Sequence, residues 1–341
     1  MGLLPRRFNK LPAVIFMLLA IITIGLAEKV YLREDTLRTI QVGRGSVNRL
    51  YFSSDGNKII SNEINGRVSI IDVKHGSVNG ITKEKKFSVI SVNKKKSMFI
   101  RSSFNPNNIK LGLLQMHLYD SGRIVWTVVQ KGSVSDSISF LEKTKLVAIL
   151  NSVGVMELRN ICDGRLIKSV RVDGSSFSLS YDEKIAAISD INGLLKFYDT
   201  STNKLVKIIH IRVGKKDKYS FGQLQGVSCL VFGKDGVFYV GTYSSHGNSL
   251  QRYNLEDTND TSSSDDKVTV LSIAISPNQK MLATSGADGT LVVRDPKSLK
   301  ILKTLSGEKD RIVSSVVFSP DSESIVAGCT NGTVEIWNLK T

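Results

Sequence analysis

One unit recurs along this chain, and it constrains the fold more than any other feature. The clearest copies lie near the end, VTVLSIAISPNQKMLATSGADGTLVVRDPKSLKILKTL at 268–305 and IVSSVVFSPDSESIVAGCTNGTVEIWNLKT at 312–341. Each reads as an apolar strand, a Ser-Pro-Asn or Ser-Pro-Asp turn, a second strand, an Asp-Gly-Thr or Asn-Gly-Thr turn, and a third strand. β-Branched and aromatic runs broken by Gly, Asn and Asp turns are the signature of antiparallel strands. No 3.6-residue period persists after residue 35, so the repeating part is expected to be all-β.

Weaker copies fill the rest, beginning near Val47, Phe87, Val134, Phe177 and Val227. Turn pairs Asn65-Gly66, Asn192-Gly193, Asp288-Gly289 and Asn331-Gly332 mark equivalent positions, and the pairing of Asx with Gly predicts two-residue hairpin turns. From Gly66 to Gly332 there are six steps with a mean of about 44 residues. Seven units of that length resemble the WD-repeat family, across 36–341. Pairs similar to the family's Trp-Asp stand at Ile71-Asp72, Tyr198-Asp199, Arg294-Asp295 and Trp337-Asn338. The repeat-opening Gly-His is absent, with Gly307-Glu308 its nearest match, so the family's buried hydrogen-bond tetrad is incomplete; Asp288 corresponds to its turn aspartate and is expected to accept backbone N–H groups.

The resemblance implies a seven-bladed β-propeller. The last unit has only three strands, and TLRTIQV at 36–42 matches LKILKTL at 299–305, so this N-terminal strand is expected to complete the final blade and remove an exposed sheet edge. The resemblance also implies a non-catalytic scaffold that binds protein partners.

Ahead of the repeats lies a different segment. Arg6, Arg7 and Lys10 close a basic tail (1–10), and residues 11–27 are 17 uncharged residues. A helix of that length is about 26 Å long, enough to span a thin bilayer. It reads as a transmembrane signal anchor, followed by a short stalk at 28–35, with the N-terminus cytoplasmic and the propeller on the periplasmic, lumenal or extracellular side. The alternative is a signal peptide cut after Ala27, since Gly25 and Ala27 supply the small residues a signal peptidase reads.

The net charge of +15 is uneven: residues 1–130 hold 20 Lys+Arg against 8 Asp+Glu, while the remainder holds 26 against 23. Basic clusters at Lys83, Lys85 and Lys86, at Lys94, Lys95 and Lys96, and at Lys215, Lys216 and Lys218 are candidate contacts for anionic lipid or an acidic protein surface. Nucleic acid is a poor fit, because the lysines lack interleaved aromatics. The acidic stretch 256–266, EDTNDTSSSDD, is expected to be an unstructured loop between blades. Asn259-Asp-Thr and Asn331-Gly-Thr match the glycosylation acceptor pattern.

Catalytic patterns are missing. There is no G-x-S-x-G, H-E-x-x-H, phosphate loop or G-x-G-x-x-G. Three scattered cysteines and four scattered histidines supply no metal-ligand spacing. No enzyme activity, metal or cofactor is expected. The competing reading is an exported, lactonase-like propeller hydrolase, which would need three or more Asp, Glu, His or Asn side chains converging in the central channel.

Overall fold

The computed structural model describes residues 36–339, apart from 83–87, 94–96, 106, 133–136, 142, 152, 173, 175, 191–192, 212–225, 244–248, 258, 265–266 and 309–310. Every regular element among them is a strand, and the strands form seven four-stranded antiparallel sheets. Blade one comprises Val47–Phe52, Lys58–Glu63, Val68–Asp72 and Val78–Gly80. Blade two comprises Ser88–Asn93, Met98–Asn105, Asn108–Leu118 and Ile124–Lys131. Blades three to six begin at Ser137, Ser176, Val227 and Val270. Blade seven takes Val313–Phe318, Ser324–Cys329 and Thr333–Asn338, with Thr36–Gln41 outermost, running antiparallel from Thr36 opposite Trp337 to Gln41 opposite Thr333. First strands contact their neighbours all round the ring, blade seven touching blade one. The described residues form a seven-bladed, all-β propeller.

Burial follows from this stacking. Second strands such as Lys58–Glu63, Leu146–Leu150 and Ser324–Cys329 are buried along almost their whole length, because each blade is covered on both faces. Fourth strands face solvent; Leu166–Arg171 is exposed at five of six positions. Between neighbouring blades lie continuous apolar layers, such as Val293, Val313, Ile325 and Trp337 between blades six and seven.

The same turn recurs between first and second strands. In blades one, four, six and seven, Ser53, Ser180, Ser276 and Ser319 donate their hydroxyls to Asp55, Asp182, Asn278 and Asp321 two residues on. Each serine oxygen then accepts the N–H of Lys58, Ile185, Met281 or Ser324, at 2.9 Å in all four. Third-to-fourth turns on the same face are closed by the aspartates of the Trp-Asp-like pairs. Asp199 accepts the N–H groups of Ser201 and Thr202 at 3.0 and 2.7 Å, and Asp295 accepts that of Ser298 at 2.7 Å. These bonds favour the ionised acid: the Ser201 hydroxyl and Thr202 N–H hold Asp199 down at about 2.

Two expectations need correction. The Asn-Gly and Asp-Gly pairs are not two-residue hairpin turns. At Asn65-Gly66 the Gly66 N–H donates to Glu63 O at 2.9 Å, and at Asp288-Gly289 the Gly289 N–H donates to Gly286 O at 3.1 Å. Only the glycines have positive φ, 85° at both Gly66 and Gly289. This is a type I turn followed by a left-handed glycine, the three-residue hairpin; the Asx side chain holds its own residue right-handed by accepting the N–H two residues on. The acidic stretch 256–266 is also not wholly loop. Ser262–Ser263 form the fourth strand of blade five, pairing with Gln251 and Arg252. Arg252 grips both carboxylate oxygens of Asp260, a charge-assisted fork that offsets the weak strand propensity of the sequence.

Candidate functional site

A meander places the first-to-second and third-to-fourth turns on one face of the ring, here the lower face. Second-to-third turns and the connections between blades share the upper face. Through the middle runs a channel of about 540 Å³ lined by residues of all seven blades.

The channel's polar groups are largely committed. Ser314 of blade seven donates to Val47 O of blade one at 2.8 Å, and Ser228 of blade five donates to Val270 O of blade six. Phe177 N–H of blade four donates to Ser137 Oγ of blade three at 3.3 Å, and Val316 N–H of blade seven to Ser272 Oγ of blade six at 3.2 Å. Inner strands converge at the axis, where a short hydroxyl can reach the backbone of the next blade without crowding it. These serines tie blade to blade, a role the sequence signals only as a small polar residue early in each first strand.

Among the described residues the lining includes Asn48 and Asn62 but no Asp, Glu or His, and its one charged side chain is Arg49. Cys229, also in the lining, has its thiol pushed up to about 12 by burial, so it stays protonated at neutral pH. Among the described residues no group of three His, Cys, Asp or Glu could hold a metal ion.

Around the upper mouth two buried carboxylates stand at blade entries. Glu335, in the third strand of blade seven, is fully buried and accepts from Arg311 Nε at 3.2 Å, Arg311 Nη2 at 2.8 Å and the Glu308 N–H at 3.0 Å. Arg311 also donates to Gly289 O, fastening the blade-six turn to the blade-seven entry. In blade one, Glu63 Oε2 accepts the Gly45 N–H at 2.9 Å and the Asn65 amide at 3.1 Å. Side chains at Gly43 and Gly307 would overlap these carboxylates. Carboxylates thus tie the blade entries to the sheets in a chain whose repeats lack the opening histidine. The sequence reading missed both, since Glu335 alternates with apolar residues as an outward-facing side chain would.

Asp288 accepts the N–H and hydroxyl of Thr290 at 3.0 and 2.6 Å, and Asn331 accepts those of Thr333 at 3.2 and 2.7 Å. Gly193 and Gly332 take positive φ. Trp337 is fully buried in the layer between blades six and seven, its indole N–H without a hydrogen-bond partner. Asn192 and all nine candidate lysines (Lys83, Lys85, Lys86, Lys94, Lys95, Lys96, Lys215, Lys216 and Lys218) lie outside the described residues. So do residues 1–35; among the described residues no helix is long and apolar enough to cross a membrane.

Residues 260–295 and 299–338 match the family model described as "WD domain, G-beta repeat". These two units are WD repeats. The two matched units are blades six and seven with their flanking strands, the copies whose turns are most regular. WD-repeat relatives extend the likeness. The Arabidopsis thaliana WD repeat-containing protein VIP3 is 30% identical over 140 residues, 40% of this chain and 43% of that protein. Pre-mRNA-processing factor 19 of Oryza sativa subsp. japonica is 40% identical over 68 residues, 20% of this chain and 13% of its own length. A proposed guanine nucleotide-exchange factor of Candida glabrata, SED4, is 20% identical over 225 residues, 63% of this chain and 20% of that protein. In each case the chain spans less than half of the relative.

Proposed function

We propose that this WD-repeat propeller is a non-catalytic scaffold that binds protein partners through its turns and outer strands. The observation that carries the reading is the use of the channel's hydroxyls as inter-blade ties, which leaves the exposed chemistry on the faces and rim. WD-repeat relatives of widely different size support it. The test is co-purification of the full chain, cross-linked in its native cells. A stoichiometric partner retained after point substitution of Arg49, Asn48 and Asn62 supports the scaffold; turnover of a substrate abolished by those substitutions overturns it.

The reading extends to the ends of the chain. Thr36–Gln41 latches the ring, supported by its antiparallel pairing with Thr333–Trp337. Residues 11–27 act as a signal anchor that holds the propeller beside a membrane as an accessory subunit of a larger complex, supported by their 17-residue uncharged run behind three cations. Intact protein mass spectrometry decides the anchor: Met1-side peptides in detergent-extracted protein support it, and Glu28 as the mature N-terminus refutes it. A second reading, nucleotide exchange on a guanine-nucleotide-binding protein, rests on the alignment with SED4 over 63% of this chain. It too requires a bound protein, and the identity of the co-purified partner separates the two.

A further inference from the structure

Blade two breaks the regularity of the ring. Its second and third strands, Met98–Asn105 and Asn108–Leu118, have 8 and 11 residues, against 5–6 and 4–6 in the other blades. Their register begins level with the other blades, Met98 opposite Leu118, and runs on until Asn105 opposes Asn108. The extra length therefore lies at the second-to-third turn, on the upper face. Two extra residues at about 3.3 Å each raise a ridge of about 7 Å. The fourth strand, Ile124–Lys131, rises with it: Val129, 53% exposed, pairs with Leu113 at the foot of the ridge, and exposed Lys131 pairs with Leu111 on it.

The turns flanking the ridge end in aliphatic side chains. Ile64 of blade one is 46% exposed and Val153 of blade three 51%. Among the described residues, charge on the same face leans positive around blades one to three. Arg44, Lys110, Lys131 and Arg171 are exposed around blades one to three. The one carboxylate described in the turns and connections there is Glu63, buried and set against Arg67 at 3.7 Å. Across the ring on blades six and seven, exposed Asp288 and Glu308 stand with exposed Lys267.

We propose that the blade-two ridge and the adjoining turns of blades one and three are the docking surface for an acidic, aliphatic-rich segment of a protein partner. The inference rests on the scaffold reading and names its site. Cations around exposed aliphatics match a chain segment that alternates carboxylates with Leu, Ile or Val. A ridge standing above the face prevents flat contact with a bilayer, whereas a peptide can lie along its flank. Among the described residues the exposed apolar side chains of this surface, Ile64, Val129 and Val153, are aliphatic and offer no base stacking.

A random 12-residue peptide library displayed on phage and selected on the full chain tests this. Enriched peptides should combine Asp or Glu with Leu, Ile or Val, and binding should weaken as salt rises. The triple variant R44E/K110E/K131E should lose binding at least tenfold, and I64S/V153S several-fold. The lower-face variant K143E/K184E/K234E should bind within twofold of wild type, and all three should keep the wild-type melting temperature. Enriched peptides that are basic or uncharged, absence of any enrichment, or equal affinity for the upper- and lower-face variants overturns the proposal. So does binding to phosphatidylserine vesicles that the upper-face triple variant loses while its peptide binding persists. A native partner retained by wild type and by R44E/K110E/K131E alike sinks this site alone; no partner on wild type sinks the scaffold reading itself.

Discussion

Replacing Glu335 by Gln is the sharpest test of what joins blades six and seven. Its two carboxylate oxygens take three hydrogen bonds, two from Arg311 and one from the Glu308 N–H, with no exposure to water. Gln keeps the shape but swaps one oxygen for an NH₂ that faces a donor, and leaves the buried guanidinium without its counter-charge. Breaking a buried ion pair on one side costs about 3–5 kcal/mol. At roughly 2–4 °C per kcal/mol for chains somewhat shorter than this one, the melting temperature should fall by about 6–20 °C. Removing both partners is different. R311M/E335L leaves no uncompensated charge, and the site borders Val313, Cys329 and Trp337, so the double variant should lose only the about 1–2 kcal/mol that follows from unpairing Gly289 O and the Glu308 N–H. Urea denaturation of the three proteins gives the comparison. Native-state hydrogen exchange should show E335Q opening first at Gly286–Thr290 and Gly307–Ile312, where Arg311 and Glu335 reach the backbone. A loss under about 1 kcal/mol in E335Q, or a double variant as unstable as the single, would refute the reasoning.

Asp199 should titrate near 2 in the folded chain rather than at the ordinary 3.8. Its stabilising effect is therefore complete above about pH 4 and fades as the pH falls towards 2; a carboxyl NMR titration with its midpoint at 3.8 would contradict the turn geometry. Deleting 36–42 should speed hydrogen exchange across Thr333–Asn338, which loses its outer partner, and unchanged protection of that strand would rule out a latch. Trp126 donates its indole N–H to Ile161 O at 2.8 Å, clasping blade two to blade three. W126F should cost about 1–2 kcal/mol by leaving that carbonyl unpaired, and an unshifted urea midpoint would show the bond to be dispensable.

Local chemistry was legible in the sequence; distant pairing was not. Ser-Pro-Asp and Asx-Gly-Thr announce turns because the groups that close them lie within five residues, so the strand count and spacing could be read directly. The exact turn type was missed because Asn and Asp tolerate positive φ but do not need it when the side chain accepts a neighbouring N–H. Glu335 could not be assigned, since its burial depends on Arg311, 24 residues away. Ser262–Ser263 gave no strand signal, for their place is fixed by Arg252 gripping Asp260. The lysine clusters were conspicuous as composition alone, while the described cations of the upper face are scattered singly and gather only when the ring closes.

Regularity and its loss separate the two faces. On the lower face the same turn, a serine bonded to an Asp or Asn two residues on, is rebuilt in four blades, and Asp72, Asp199 and Asp295 all close the next turn in the same way. A device repeated round a ring answers a need common to every blade, namely satisfying the backbone at a tight reversal. The upper face repeats far less. Its entries use Glu63 from a second strand in blade one and Glu335 from a third strand in blade seven, and blade two alone extends beyond its neighbours. Since each blade leans chiefly on its two neighbours, one blade can lengthen without disturbing ring closure. Blade two's extra residues lie beyond the turn level of the other blades and so add little to the packing between them. The docking role proposed above accounts for that added sheet.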